Sequence, residues 1–232
     1  MEKKSLKELK KLLEEFSFNI LILGKDYVGL TAFFYKLRTG KFDPHLPWTS
    51  GLDVCKMKVK MENGKSVIFK VYDTKGQENL RHLTRPLFKD ADGVLLIYSI
   101  VNKESFDDLD NWLNMLKEEI PIKIPIFLVG NKNDLEEERE ITSEQGQKFA
   151  EEHGFMFSEC SVKNDSWDKI KSIFEKLAKT IYAEYPKIKK EKEKYFEQQE
   201  KIKEEQERKE EEKRAEKRAE KNLKVLMKYL SF

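Results

Sequence analysis

Two glycines, Gly24 and Gly29, bracket four residues directly behind an apolar run, and a hydroxyl, Thr31, stands two places past the second glycine. Glycine, four residues, glycine, lysine, then serine or threonine is the spacing of a phosphate-binding loop. Backbone N–H groups cradle the phosphates, the lysine reaches the outer two, and the hydroxyl holds magnesium. Gly24-Lys25-Asp26-Tyr27-Val28-Gly29-Leu30-Thr31 matches everywhere except at the lysine, where Leu30 stands. Taken alone, the pattern also fits an ordinary strand-to-helix turn.

Three further elements follow in order: Asp73-Thr74-Lys75-Gly76-Gln77-Glu78, Asn131-Lys132-Asn133-Asp134 and Cys160-Ser161-Val162-Lys163. Each stands at the end of a strand-like run. Together with the glycine loop they resemble the small GTPases of the Ras superfamily, Rab proteins in particular, over about residues 18–183. The resemblance implies an α/β P-loop G domain, with a six-stranded, mostly parallel sheet carrying one antiparallel strand and flanked by helices. It implies GTP or GDP as ligand, Mg2+ as cofactor, and hydrolysis of GTP to GDP and phosphate as the reaction.

The roles transfer residue by residue. The resemblance gives Asp134 both N–H groups of the guanine edge, a geometry that a carboxylate matches and that rejects the acceptor adenine presents there. Asn131 and Lys132 brace the base, Ser161 belongs to the same loop as Val162 and Lys163, and Phe42 falls where the family stacks an aromatic on guanine; packing within its own loop is the alternative for Phe42. Thr31 ligates magnesium, Asp73 holds a magnesium-bound water, and Thr49 grips the metal when the third phosphate is present. Gly76 belongs to the second switch, and Gln77 orients the attacking water for in-line displacement.

Four positions depart from the family. Leucine at position 30 neither donates a hydrogen bond nor neutralises charge. Losing one partner of a desolvated charge pair costs about 2–5 kcal/mol, roughly 30- to several-thousand-fold in affinity. Hydrolysis suffers more, because charge stabilisation is most of the catalysis. Asp26 sets a carboxylate against phosphate, Tyr27 replaces what is often a glycine, and Lys75 replaces an alanine. Lys75 and Lys25 are the candidate substitutes for the missing cation, with solvent as the alternative for both. Two functions compete. One is a guanine-nucleotide switch with slow hydrolysis, acting on effectors in vesicle trafficking or signalling and served by an exchange factor and a GTPase-activating protein. The other is a pseudo-GTPase used as an interaction scaffold.

The elements that must position these motifs are legible from periodicity. Phe18–Leu23, Gly93–Ile100 and Ile124–Gly130 are continuous apolar runs, as buried parallel strands are. Leu52–Lys60 and Ser66–Tyr72 read as an antiparallel hairpin across Met61-Glu62-Asn63-Gly64. Helical spacing marks Leu30–Leu37, Ser105–Glu119 and Trp167–Tyr182, and Phe155–Cys160 reads as the last strand. Strands alternating with helices place the loops after the strand C-termini along one sheet edge, where ligands of open α/β sheets bind.

Outside the G domain, residues 1–17 predict a short amphipathic helix from Leu6, Leu9, Leu13 and Phe16, with Ser5 and Glu8 as a capping box. Residues 184–232 predict a long charged helix with an apolar end at Leu223, Leu226, Met227 and Leu230 that docks a protein or a membrane surface. Ile188, Tyr195 and Ile202 start a heptad that Lys209 breaks, so a solvated helix is expected over a sustained coiled coil. A net charge of only +2 argues against nucleic acid as partner. Cys55 and Cys160 fall within strand-like stretches, which suits reduced thiols in the cytoplasm. With no apolar run of membrane-spanning length and no cysteine near the C-terminus, the expectation is a cytoplasmic protein without a prenyl anchor, peripheral on membranes through partners.

Overall fold

In a computed structural model that describes residues 17–46, 52–74, 87–120 and 122–230, β1 (Ser17–Leu23) lies at the centre of the sheet and is buried on both faces. Ile20 and Ile22 point to one core, Leu21 and Leu23 to the other, which is why the sequence there reads as an unbroken apolar run. The sheet has six strands in the order β2-β3-β1-β4-β5-β6. β2 (Asp53–Lys60) pairs antiparallel with β3 (Ser66–Asp73); β4 (Gly93–Ser99), β5 (Ile126–Asn131) and β6 (Met156–Cys160) continue in parallel from β1. The hairpin turns at Gly64, whose φ of 76° is the left-handed conformation that an Asn-Gly pair supplies cheaply.

One core lies under α1 (Leu30–Thr39) and the start of the last helix, with Phe18, Phe33, Phe69 and Phe174 fully enclosed. The other lies under α2 (Lys103–Asp107), α3 (Leu109–Glu119) and α4 (Ser143–His153), around Tyr98, Leu109 and Leu128. The single helix expected at Ser105–Glu119 is therefore two. The break is Asp108, whose ψ of −6° departs from the helical value although its N–H still reaches the Glu104 carbonyl at 3.0 Å. α4 has no counterpart among the sequence expectations, although Thr142 and Gln145 form the reciprocal capping box that announces it. His153 ends α4 half-buried and stacked between Phe149 and Phe155.

The last helix, α5 (Trp167–Leu230), runs through Pro186, so the helices expected on either side of that proline are one element. Two compact units divide after Ile188. In the first, Tyr185 packs edge-on against Phe18 at 4.6 Å and Ile188 is buried. In the second, opposite charges four apart recur, as in Lys203–Glu207, Lys209–Glu205 and Arg214–Glu210, while Ile202 is 48% exposed. Such exposed pairs each contribute a few tenths of a kcal/mol to the helix. No described helix is long and apolar enough to cross a membrane. The expected N-terminal helix lies outside the described residues, apart from Ser17.

Candidate functional site: a base pocket beside a phosphate loop

Strand register fixes the site. Ile22 lies opposite Asp73, Ser99 opposite Asn131, and Asn131 opposite Cys160, so the C-terminal ends of β1, β3, β4, β5 and β6 share one edge. The loops carrying the four motifs leave from that edge, as the alternation of strands and helices requires.

Asn131, only 3% exposed, ties three of those loops together. Its Nδ2 donates to the carbonyl of Val28 at 2.7 Å, and its Oδ1 accepts the N–H of Val162 at 3.1 Å. Gly29 must be glycine beside it. A Cβ there would sit 2.5 Å from Asn131 Nδ2, and φ is 100°. Lys132 turns the chain with φ of 70°, and Leu135 N–H closes on its carbonyl at 2.9 Å. Burial pushes the Lys132 ammonium below the usual lysine range, against the opposing pull of Asp134 and Glu138. Asp134 accepts the Ser161 hydroxyl at 2.6 Å, which orients the carboxylate and leaves it further lone pairs for a ligand's N–H groups. Ser161 Oγ also receives Asn164 N–H at 2.9 Å, so the loop behind the carboxylate is itself braced.

These residues enclose a cavity of about 260 Å³, bounded by Phe42, Gly29 and Ala32 on one side and by Asn131, Lys132, Asp134, Leu135, Val162 and Lys163 on the others. The size suits one heterocycle rather than a drug-sized ligand, which takes about 300–1,000 Å³. Phe42 is half-buried against the core and also borders the cavity.

The phosphate side is different in kind. Gly24 is pinned under β4: a Cβ on it would lie 2.2 Å from the carbonyl oxygen of Ile97. Tyr27 holds φ of 65°, a strained conformation for a non-glycine residue, and the residue is 78% exposed. Leu30 is 5% exposed and belongs to the core with Phe33 and Phe34. Its Cδ2 lies 3.2 Å from the Cβ position of Gly24, so the leucine is tucked beneath the loop. Lys25, weighed as a substitute cation or a solvated one, forms an ion pair with Glu104 of α2 instead. Asp73 is fully buried at the end of β3, and Thr74 Oγ1 beside it donates to the carbonyl of Ile22 at 2.7 Å. Thr31 is half-buried in the first turn of α1, and Asp26 sits in the same loop as Lys25. Thr49, Lys75, Gly76 and Gln77 lie outside the described residues.

A family model described as Ras family matches residues 19–183 of this chain. The chain belongs to the Ras family. It is a Rab-like small GTPase by relationship: human Ras-related protein Rab-3A is 36% identical over 167 residues, covering 72% of this chain and 74% of Rab-3A. GTP-binding protein Rab-3D of rat is 35% identical over the same share of this chain and 75% of its own. Human Rab-44 is 38% identical over 148 residues, which are 64% of this chain but only 14% of Rab-44. The described residues of the Ras-family motifs thus converge on one sheet edge, with a cavity on the base side and an altered phosphate side. Motif reading did not mark Ala32 and Leu135, which also line the cavity, nor Lys36, a buried lysine of α1. Lys36 was open to detection, since it stands between Phe33, Phe34 and Leu37 on the apolar face of a helix, where a cation needs a reason.

Proposed function

We propose that this Rab-like protein binds GTP and GDP through the Asp134 pocket, hydrolyses GTP slowly, and presents its nucleotide-bound loops to effector proteins in vesicle trafficking or signalling. The supporting observation is the 260 Å³ cavity that gathers Phe42, Asn131, Lys132, Asp134, Val162 and Lys163 around a space for one base. Asp134, steadied by Ser161, accepts the two N–H groups of the guanine edge; the backbone of Val162 and the stem of Lys163 cover the ring. Thr31 and Asp73 offer the oxygen donors that a small, hard cation requires, and with Thr49 they would hold Mg2+. Bound there, magnesium supplies positive charge to the phosphates. In the same scheme Gln77 holds the attacking water. Leu30 brings no charge to the outer phosphates, and this accounts for slow turnover. The proposal includes an exchange factor and a GTPase-activating protein as partners, and a cytoplasmic location. The charged length of the tail serves as a spacer that carries its apolar end, Leu223, Leu226, Met227 and Leu230, to a protein or a membrane surface.

The test is to identify nucleotide that co-purifies with the protein and then titrate GDP and GTP, with and without magnesium, by calorimetry. Expected is heat with both guanine nucleotides and none with ATP. A folded chain giving no heat at millimolar GDP or GTP removes the proposal. A second reading, an interaction module whose partners ignore nucleotide state, draws support from Leu30 buried in the core and Lys25 engaged by Glu104. Equal partner affinity for the GDP- and GTP-loaded forms would establish it over the first.

A further inference from the structure

Lys36 is the one charged side chain among the buried residues of α1, and its ammonium is held by backbone. It donates to the carbonyl of Val162 at 2.7 Å and to the carbonyl of Asp165 at 2.5 Å, with the residue 5% exposed. Both acceptors belong to the loop that forms one wall of the base pocket. The N–H of Val162 is taken by Asn131, so this peptide unit is fixed from both sides, by β5 through its nitrogen and by α1 through its oxygen. At the next residue of α1 the chain just past that loop is held again, where Trp167 Nε1, at the start of α5, donates to the carbonyl of Leu37 at 3.2 Å.

We propose that Lys36 is a positioning residue for guanine discrimination: it sets the height of the Ser161–Asp165 loop and, through Ser161, the aim of Asp134. The proposal rests on the guanine-pocket reading above and deepens it. The argument is geometric. The hydroxyl of Ser161 is what the structure shows bonded to Asp134, and Ser161 is held in its loop by Asp165, whose Oδ2 accepts Ser161 N–H at 2.7 Å and whose N–H donates to the Ser161 carbonyl at 2.9 Å. The ammonium on the Asp165 carbonyl therefore lies one residue from the clasp that steadies the base-reading carboxylate. A charge-assisted bond is roughly twice as strong as a neutral one, and α1 starts at the pocket, which its N-cap Gly29 and first-turn Ala32 line. Lys36 transmits the position of that helix to the wall that reads the base.

The test compares Lys36→Met, which keeps the stem and removes the donors, with Lys36→Arg, which keeps the charge. GDP and IDP are titrated against each full-length protein, since inosine lacks the exocyclic amine that one Asp134 oxygen accepts. The parent is expected to prefer GDP. Lys36→Met is expected to lose about 5- to 30-fold of that preference, the scale of one mispositioned charged hydrogen bond, with Lys36→Arg restoring most of it. A purely structural lysine would lower thermal stability in Lys36→Met yet leave the GDP-to-IDP ratio of the folded fraction unchanged; a ratio within about twofold of the parent overturns the proposal. Should Lys36→Met not fold, Lys36→Gln, neutral and shorter, is read by the same criterion. A parent protein that binds neither GDP nor IDP overturns the pocket reading itself, whereas a discriminating parent with an indifferent variant overturns the role of Lys36 alone.

Discussion

Leu30→Lys restores the family's residue at the place where this chain departs furthest from it, and the structure sets the size of the effect. Leu30 is 5% exposed and packs beneath Gly24, so a lysine stem has a path already lined with apolar atoms, and its ammonium emerges at the loop. In the nucleotide-free protein this costs stability. A branched apolar side chain is lost and a cation is brought near a buried surface, roughly 1–3 kcal/mol, or about 3–10 °C in Tm for a domain of this size. With GTP bound the sign reverses. A newly formed desolvated charge pair is worth about 2–5 kcal/mol, so GTP and GDP should bind roughly 30- to several-thousand-fold more tightly than to the parent. Guanosine provides the control, because the Asp134 pocket is untouched and its affinity should change by less than about twofold. Calorimetry with guanosine, GDP and GTP on both proteins, with circular dichroism to establish folding, reads all three. A folded variant whose GTP affinity rises by less than about fivefold, or whose guanosine affinity rises as much as its GTP affinity, refutes the claim that the leucine is what weakens the phosphate grip.

Lys25→Ala should leave GTP affinity within about twofold of the parent and cost under about 1 kcal/mol of stability, because Glu104, the partner of Lys25, is 74% exposed; a large loss of GTP affinity by calorimetry would show that the ammonium serves phosphate. Gly24→Ala should lower the unfolding free energy read by urea denaturation by several kcal/mol or prevent folding, since its Cβ would lie 2.2 Å from the Ile97 carbonyl oxygen at a φ of 152°. Burial pushes the Cys55 thiol up to about 11 and the Cys160 thiol up to about 12. In the unfolded chain both ionise from their ordinary value of 9.0, so above that pH the unfolded state binds fewer protons and stability falls. The stability they lend is complete below pH 9.0 and is lost as pH rises through 11 and 12. Urea titrations across the alkaline range should show this slope, reduced in Cys160→Ala; an unchanged slope would contradict the burial argument.

The strands and their order of use were legible in the sequence because buried parallel strands must be apolar on both faces and because each motif needs a strand end to stand on. Asp134, Asn131 and the glycines could be named for the same reason: base recognition and tight turns each restrict a position to one or two residue types. The helix break at Asp108 and the joining of two helices through Pro186 could not, since the first is a change in the backbone angles of one residue and the packing of Tyr185 and Ile188 supports the chain on either side of the second. α4 was legible in principle from Thr142 and Gln145 but carries only two buried residues, Gly146 and Ala150, too few to mark a period.

What the sequence determined by itself was therefore composition at fixed places: a base-reading carboxylate, a glycine-rich loop, and a leucine where a cation belongs. Where the side chains went was decided only by tertiary structure. That Lys25 turns to Glu104 and that Lys36 reaches the carbonyls of Val162 and Asp165 depend on residues 79 or more positions away, which spacing along the chain does not reveal, and that Leu30 joins the core rests on the enclosure that folding builds around it. The physical reason is that an ammonium or a buried methyl group settles according to the neighbours folding brings within a few ångströms, and those neighbours belong to other elements.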